Sequence, residues 1–576
     1  MDKPVVINDK KLRFDSFSDG EVLYGKRKGR LPAMGWNSWN AFGSGNTEAL
    51  TKAMADKIVE LGLDRLGYEY VVLDDGCYKP ERVNGLLSNE EVKFPSGFKA
   101  LADYIHGKGL KFGMYNDIGT NLCAGAAVGT CGHETEDAKA YLEWGIDFIK
   151  VDNCYYLWDN ATFSNPENAR FTYGPAIRQV TVSGFGFAQS FMIDKPSEIG
   201  TVDGTGPDPT PIGELSTEVR FQVKAPKEGE YDLIVEYATA KEAGQGEWLQ
   251  VAVGEGKDAQ YFYDDLLKHT SGKESFRKSQ PLKLRLKAGV NTLRLMNHRR
   301  QENTLCSYAR LKEAFYEADP DNDVLLSICE WGKTGPHNWG YKVGDSWRIL
   351  NDISFAVGAD GNNGRCAWES DYTTSIAAQY NKAVIMDEFA GLDKGWNDPD
   401  MMVIGMDGLT ETMCRTHMAM WCMMNSPLML GLDLRRVEKG DWIHNIIANK
   451  DLIGLNQDKL GVQAKRIWSS AETEHPDTAY IRDNNRVDVL AKPLADGSVA
   501  VSFINLSGGK KENIAIDSDR IERFIGAKMQ NKEAFVNAAS FKVKDLWTGR
   551  ESELSGNTIR VDALEPYDNV TLKITP

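Results

Sequence analysis

The sequence predicts an α/β protein built on a (β/α)₈ TIM barrel, with a β-sandwich inserted in one barrel loop and a C-terminal antiparallel β domain. Three observations predict this fold. Short apolar runs that end in acidic residues alternate with amphipathic helical segments over residues 30–154 and 307–465. Between them, β-branched alternating segments with Gly, Pro and Lys turns replace the alternation. After about residue 465 the pattern becomes all-β.

The barrel prediction rests on eight strand-like runs separated by helices. Residues 47–63, 97–109 and 134–145 have the apolar spacing of amphipathic helices and separate the first four runs. The predicted strands are LPAMGW (31–36), YEYVVLDD (68–75), LKFGMYND (110–117), DFIKVDN (147–153), VLLSICE (324–330), RILNDI (348–353), PDMMVIG (399–405) and SPLMLGL (426–432). Eight parallel strands predict a closed barrel.

These patterns divide the chain into four segments. Residues 1–160 and 307–465 are predicted to form the two parts of the barrel, and residues 161–306 the inserted sandwich. Residues 466–576 are predicted to form a C-terminal antiparallel β-sandwich. Loop tips tolerate insertions, so a sandwich placed after DFIKVDN is compatible with an intact barrel.

Composition excludes several classes of protein. The 576 residues carry a net charge of −16, so the overall field repels polyanions and argues against a nucleic-acid partner. No apolar stretch approaches the ~20 residues of a membrane span. Nine cysteines without a CxxC pair indicate neither a disulfide scaffold nor a metal site. The first thirty residues lack the apolar segment of a signal peptide, and composition alone leaves the compartment open.

The C-terminal ends of barrel strands hold the active site in this fold. Here those ends carry many carboxylates: Asp74, Asp75, Asp117, Asp152, Glu330, Asp352, Asp398 and Asp400. Such a mouth, poor in His and Cys, favours glycoside hydrolysis, in which two carboxylates divide the nucleophile and acid/base roles. The chain has only eight histidines and no HExxH motif, which argues against zinc chemistry. Lys150 lies two residues before Asp152 and therefore on the same strand face, where its charge favours an ionised carboxylate.

Seven segments, in chain order, resemble the motifs of glycoside hydrolase family 27, the α-galactosidases. They are GWNSWN (35–40), LDDG (73–76), KVDNC (150–154), CEWG (329–332), SWR…D (346–352), WNDPDM (396–401) and LNQDKLG (455–461). The resemblance covers the chain from about residue 30 onward, excluding the insert. It implies a retaining exo-α-galactosidase that releases terminal α-linked galactose from oligo- or polysaccharides through a covalent galactosyl-enzyme, with no cofactor and no metal.

Position by position, the resemblance implies Asp152 as the nucleophile and Asp352 as the general acid/base, with carboxyl groups about 5–5.5 Å apart. It implies that Asp74 and Asp75 bind O4 and O6 of galactose and that Glu330 selects galactose over its N-acetylamino analogue. The full set of substrate-binding residues that we expect is Trp39, Asp74, Asp75, Tyr115, Lys150, Glu330, Trp331, Arg348 and Met401.

The resemblance also implies a disulfide between Cys123 and Cys154, which would join the loops after the third and fourth strands. Cys131 offers a rival partner. A disulfide is typical of exported proteins, so we expect a secreted or periplasmic location.

Several alternatives stay open. The LDDG and WNDPDM acids also suit tight turns, and Asp398 and Asp400 are left out of the predicted catalytic set. α-N-Acetylgalactosaminidase and β-L-arabinopyranosidase activities fit the same scaffold. A sugar-binding protein with an inactive barrel is the non-enzymatic alternative, and a barrel isomerase or lyase ranks last because no metal or phosphate motif is present.

The insert resembles a carbohydrate-binding module. Trp248, Tyr261 and Tyr263 are candidates for stacking on sugar rings, although aromatics at alternate strand positions more often pack against a core. A calcium site in the insert stays open. The sequence does not predict the aglycone or the oligomeric state.

Overall fold

A computed structural model describes most of the chain. The described residues are 29–119, 121–154, 176–193, 218–239, 248–254, 260–268, 270–272, 274–296, 300–332, 335–370 and 375–576. They form a parallel barrel, an antiparallel sandwich between the two parts of the barrel, and a C-terminal β domain. The predicted domain limit at residue 160 lies outside the described residues. Within them, no helix is both long and apolar enough to cross a bilayer.

The barrel has eight parallel strands, as the sequence predicts. Their order in the sheet is β7-β6-β5-β4-β3-β2-β1-β8. The strands are β1 (Met34–Asn37), β2 (Tyr70–Val72), β3 (Lys111–Asp117), β4 (Phe148–Asp152), β5 (Leu325–Cys329), β6 (Ser346–Arg348), β7 (Trp396–Asp398) and β8 (Leu428–Leu430).

Met402 closes the barrel between β7 and β8. Its amide donates a hydrogen bond to the carbonyl of Met429 at 2.7 Å, and its carbonyl accepts one from the amide of Gly431 at 2.9 Å. These two bonds form a parallel bridge to β8, opposite the β1–β8 pairing. The sheet is therefore continuous around the barrel.

Strands β6 and β7 begin earlier than predicted. The apolar runs 348–353 and 399–405 suggested strands, but β6 ends at Arg348 and β7 ends at Asp398. Pro399 has no amide hydrogen, and Asp400 has a left-handed φ of 76°, so the chain leaves the sheet at this point. The apolar residues beyond each strand are buried by loop packing instead.

Nine helices of the described barrel residues lie between or after the strands. They are α1 (Trp39–Phe42), α2 (Glu48–Glu60), α3 (Gly97–His106), α4 (Glu134–Trp144), α5 (Arg300–Ala318), α6 (Ile376–Ala383), α7 (Glu411–Met423), α8 (Trp442–Ile447) and α9 (Lys450–Asn456). Thr47 caps α2 by accepting a hydrogen bond from the amide of Leu50. The predicted end of the insert at residue 306 falls inside α5.

The insert folds as two antiparallel sheets that face each other. One sheet contains, in order, Gln260–Leu266, Trp248–Val253, Gly289–Met296 and Glu218–Ala225. The other contains Arg277–Lys278, Gly229–Ala238, Ala176–Gly184 and Phe187–Met192, with Leu282–Leu286 also paired to Gly229–Ala238. Residues such as Val180, Leu233 and Leu293 from both sheets form one buried core, against which Tyr263 packs. The side chains of Trp248 and Tyr261 lie outside the described residues.

The C-terminal domain packs on the barrel. Its larger sheet has the order Lys465–Ser469, Val487–Pro493, Val499–Asn505, Asn569–Thr575, Ser540–Asp545 and Glu551–Ser555. A second sheet pairs Lys511–Asp517 with Thr558–Leu564, and two helices that were not predicted, Ser518–Ile525 and Lys532–Val536, lie between them in the chain. Buried Asp488 bonds Arg466, Arg486 and, from α6, the hydroxyl of Tyr380, which ties the domain to the barrel.

Candidate active site

Strand β4 carries Lys150 and Asp152 on the inner face of the barrel. Ile149 and Val151 are fully buried in the core between the sheet and the helices. Phe148 packs in a smaller apolar cluster with residues of β2, β5 and Met429 inside the barrel. Because side chains alternate along a strand, β4 presents one apolar side chain and then two charged ones towards the mouth.

Lys150 is held by a buried ion pair. Its ammonium lies 2.8 Å from Oδ2 of Asp74, and the side-chain amide of Asn37 donates to the same oxygen at 2.8 Å. Burial opposes the charge on Lys150, but Asp74 and Asp152 together raise its pKa well above the usual value. Lys150 is therefore a permanent cation within the barrel.

Asp152 lies at the end of β4 and is almost fully buried. Its Oδ2 accepts a hydrogen bond from the hydroxyl of Tyr115 at 2.9 Å, while its Oδ1 has no hydrogen-bond partner among the described residues. Burial raises the pKa of Asp152 to about 7, and the charge of Lys150 opposes this rise. One carboxylate oxygen is thus positioned by Tyr115, and the other is enclosed without a hydrogen-bond partner among the described residues.

Asp74 and Asp75 both reach the mouth because the chain turns directly after β2. Gly76 has a φ of 94°, and a Cβ at this position would lie 2.6 Å from the Cα of Ser44, so the turn requires glycine. Asp75 accepts hydrogen bonds from the amides of Gly76 at 2.6 Å and Ala124 at 2.7 Å. Burial raises the pKa of Asp75 to about 6.

Asp352 lies in the loop after β6 and is the exposed acid of the site. Its side chain is 54% exposed. Its Oδ1 accepts hydrogen bonds from Arg348 at 3.0 Å and from the indole of Trp331 at 3.1 Å. Enclosure by the pocket favours the neutral acid, but the charges of Arg348 and Lys150 outweigh it and lower the pKa of Asp352.

These side chains meet in one small pocket at the barrel mouth. Its lining consists of Trp39, Asn40, Asp74, Asp75, Tyr115, Cys123, Lys150, Asp152, Trp331, Arg348, Asp352, Asp400 and Met401. The lining includes every predicted catalytic and substrate-binding residue except Glu330. Two acids from distant strands, Asp152 and Asp352, therefore face the same small space.

Comparison with known proteins agrees with this geometry. A family model described as Alpha galactosidase A matches residues 31–171 and 362–458, and one described as Alpha galactosidase C-terminal beta sandwich domain matches residues 484–574. The chain belongs to glycoside hydrolase family 27. Asp152 lies within the matched residues of this family, whereas Asp352 lies just outside them, so its assignment depends on the pocket geometry.

Relatives of this family 27 chain match along most of its length. Alpha-galactosidase A of Cellvibrio japonicus is 28% identical over 557 residues, which cover 95% of this chain and 92% of the relative. Alpha-galactosidase of Cyamopsis tetragonoloba is 28% identical over 492 residues, which cover 85% and 76%. The structure of alpha-galactosidase I from Mortierella vinacea is 23% identical, covers 94% of this chain and 96% of that one, and has a TM-score of 0.59, which supports the fold.

Glu330 is the one predicted substrate-binding residue that the structure does not bring to the pocket. It is fully buried directly after β5, and its charge contributes to the raised pKa of Tyr308 in α5. The chain leaves the strand at this point, since β5 ends at Cys329 and Trp331 has a left-handed φ of 57°. The sequence motif placed this residue near the site but did not determine its direction.

The Cys123–Cys154 disulfide is present, with a Cα–Cα distance of 5.3 Å. Cys131 is buried and takes no part in it. The bond joins the loops after β3 and β4, and Sγ of Cys123 lies 3.2 Å from Oδ2 of Asp152. Beneath it, Asp117 accepts hydrogen bonds from the amides of Gly119 and Cys154, both at 2.6 Å, and burial raises the pKa of Asp117 to about 8.

Two lining residues, Asn40 and Asp400, are outside the predicted catalytic and substrate-binding set. Asn40 lies in the GWNSWN motif, is 2% exposed, and its Nδ2 has no hydrogen-bond partner within the described chain. Asp400 was expected among the acids of the mouth but was left out of the predicted catalytic set, because WNDPDM also suits a tight turn. Its carboxylate lines the pocket.

Proposed function

We propose that this chain is a retaining exo-α-galactosidase in which Asp152 is the nucleophile and Asp352 the general acid/base. The observation that carries the proposal is the pairing of a buried acid beside a lysine with an exposed acid in one small pocket. A buried nucleophile can lie below the sugar, and an exposed acid can reach the leaving oxygen. This is the arrangement that a retaining glycosidase requires.

In the first step, a carboxylate oxygen of Asp152 attacks the anomeric carbon while the bond to the leaving oxygen breaks. Asp352 donates its proton to that oxygen. In the second step Asp352, now ionised, takes a proton from water, and the water oxygen displaces Asp152 from the anomeric carbon. Galactose is released with the configuration that it had in the substrate.

The charges of the pocket favour one proton shared by the two acids. Asp152 has a raised pKa of about 7 and Asp352 a lowered one, so the pair holds a single proton over much of the acidic range. Without a substrate, these pKa directions place that proton on Asp152, and the charge of Lys150 lowers the pKa of both acids. The first chemical step requires the proton on Asp352, so the proposal includes its transfer to Asp352 when the substrate binds.

Exo action follows from the shape of the site. The pocket is closed below by the apolar cluster inside the barrel, which includes Phe148 and Met429. The acids, the lysine and the aromatic side chains converge on one small pocket rather than along an extended cleft, which favours recognition of a single terminal sugar. We infer that Asp74, Asp75 and Lys150 hold the hydroxyls of the terminal galactose, while Trp39, Trp331 and Met401 contact its apolar faces.

The test is hydrolysis of 4-nitrophenyl glycosides followed by NMR of the product anomer. We expect activity on the α-galactoside, little on the α-N-acetylgalactosaminide or the β-L-arabinopyranoside, and α-galactose as the first product. Asp152→Ala and Asp352→Ala should each reduce kcat by about 10⁴-fold or more on substrates with poor leaving groups.

Asp360→Ala is the matched control, because this exposed acid lies in the loop that follows Asp352 and pairs with Arg435 away from the pocket. It should leave the rate unchanged. Activity that survives Asp152→Ala, or β-galactose as the first product, contradicts the mechanism.

We also propose a domain organisation of barrel (1–160 and 307–465), insert (161–306) and C-terminal domain (466–576), in which the limit at residue 306 falls inside α5. The disulfide supports an extracytoplasmic location, secreted or periplasmic. The partner is an α-galactoside-containing oligo- or polysaccharide, and the insert is a candidate for binding it.

A further inference from the structure

Asp400 is a buried acid that the mechanism does not use. It is 4% exposed and adopts a left-handed φ of 76°, which is unusual for a residue other than glycine. Its Oδ1 accepts a hydrogen bond from the amide of Met401 at 2.7 Å, and its own amide donates to Asp398 at 2.8 Å. A strained and fully bonded acid at the mouth indicates a function for its carboxylate.

The second oxygen of Asp400 makes two contacts that lead to Asp352. Oδ2 lies 2.7 Å from Nη2 of Arg348 and accepts a hydrogen bond from the amide of Ile353 at 2.8 Å. The same Nη2 of Arg348 donates to Asp352 at 3.0 Å. One guanidinium is therefore shared between a buried carboxylate and the exposed acid of the site.

On this basis, and assuming the proposed function, we propose that Asp400 is a positioning residue for Asp352. It neutralises Arg348 and fixes the peptide that follows Asp352, so that Asp352 can carry and release the catalytic proton. The role is electrostatic and geometric, since Asp400 itself lies beside the acid rather than at the scissile bond.

The physical reason is competition for one positive charge. Without Asp400, the full charge of Arg348 would act on Asp352 and hold it ionised, and an ionised acid cannot protonate a leaving group. The other charged or titratable groups facing Arg348 or Asp352 are Asp152, Asp398, Cys329 and Lys150. Among the described residues, only Asp400 joins the Arg348 guanidinium to the peptide that follows Asp352.

The pKa directions agree with this arrangement. Burial opposes the charge on Arg348, but Asp400 is the first of the acids that raise its pKa well above the usual value. Burial raises the pKa of Asp400, and Arg348 opposes that rise. The two groups therefore stabilise one another as a charged pair.

The test compares two substrates with different needs for a proton. The dinitrophenolate of a 2,4-dinitrophenyl α-galactoside departs without protonation, whereas the methoxy group of methyl α-galactoside departs only when an acid protonates its oxygen. In Asp400→Asn, kcat/KM should fall more for the methyl glycoside than for the dinitrophenyl glycoside. The additional loss should be about tenfold for each unit by which the pKa of Asp352 drops. Equal losses on both substrates would show a merely structural role and overturn the proposal.

Arg348→Gln provides a second variant that does not depend on the folding of Asp400→Asn. Both kcat/KM values should fall, because Arg348 lines the pocket. Without the charge of Arg348, the ratio of kcat/KM for the dinitrophenyl glycoside to that for the methyl glycoside should be no higher than in the wild type. A higher ratio overturns the proposal. Asp360→Asn is the matched control and should leave the ratio unchanged.

This experiment separates the proposal from the proposed function. If the wild-type protein hydrolyses neither α-galactoside, the function fails. If the wild type is active but the ratio in Asp400→Asn equals that of the wild type, only the role of Asp400 fails.

Discussion

The ion pair between Lys150 and Asp74 should contribute far more to stability than the pair between Lys111 and Glu69. Both have an N–O distance of 2.8 Å. The side chains of the first pair are 13% and 3% exposed, and those of the second 41% and 42%. Burial is thus the main difference between them, which makes the two lysines a matched comparison.

The magnitude follows from what each substitution leaves behind. Lys150→Met leaves Asp74 as a buried charge without a cation, which costs about 3–5 kcal/mol. Lys111→Met leaves a solvated carboxylate and costs about 1 kcal/mol or less. At about 2 °C per kcal/mol, we expect the Tm to fall by about 6–10 °C in the first variant and by about 2 °C or less in the second.

The assay is thermal unfolding at neutral pH. Adding Asp74→Asn to Lys150→Met should recover most of the lost Tm. Equal losses in the two lysine variants, or no recovery in the double variant, would refute the reasoning.

Three further predictions concern pH, the domain interface and the pocket wall. Because the pair Asp152 and Asp352 must hold one proton, kcat/KM should decline as pH rises through about 7, where that proton is lost. At low pH, kcat/KM should decline only below the usual carboxylate range. A pH–rate profile checks this, and a rate that rises above pH 8 contradicts it. Asp488→Ala leaves two buried arginines without their carboxylate, so denaturant unfolding should show a loss of about 3–5 kcal/mol, and an unchanged midpoint would contradict this estimate. Gly332→Ala should reduce kcat/KM at least tenfold without unfolding the barrel. Gly332 has a φ of 75°, and a Cβ there would lie 2.2 Å from the carbonyl oxygen of Ile349, so the pocket wall beside the catalytic acid would have to move. Steady-state kinetics with a circular dichroism control tests this prediction, and wild-type kinetics in the variant would contradict it.

Local patterns were sufficient for most of the fold. Apolar spacing predicted a helix over residues 47–63, and α2 spans Glu48–Glu60. A strand was predicted over residues 147–153, and β4 spans Phe148–Asp152, while the insert was predicted from its alternating β pattern. The errors fall where the chain departs from its local pattern, as at Pro399, where an apolar run continues although the strand has ended.

Most residues of the pocket lining were predicted from the sequence, and the errors again concern residues that follow a strand. Acids at strand ends are visible in the sequence, and a motif states which residues are near one another. Neither states the direction of a side chain beyond the last strand residue. Glu330 was therefore expected in the pocket but is not part of its lining, while Asp400, which was left out of the predicted site set, lines the pocket.

By itself, the amino-acid sequence determined which residue types lie at the end of each strand and where one fold pattern gives way to another, because periodicity and turn chemistry are local properties. Only the tertiary structure decided how charge is distributed among them. The sharing of Arg348 between two acids and the pairing of Lys150 with Asp74 depend on distances between residues far apart in the chain. Electrostatic energy depends on those distances and on burial, and neither is written in the order of the residues.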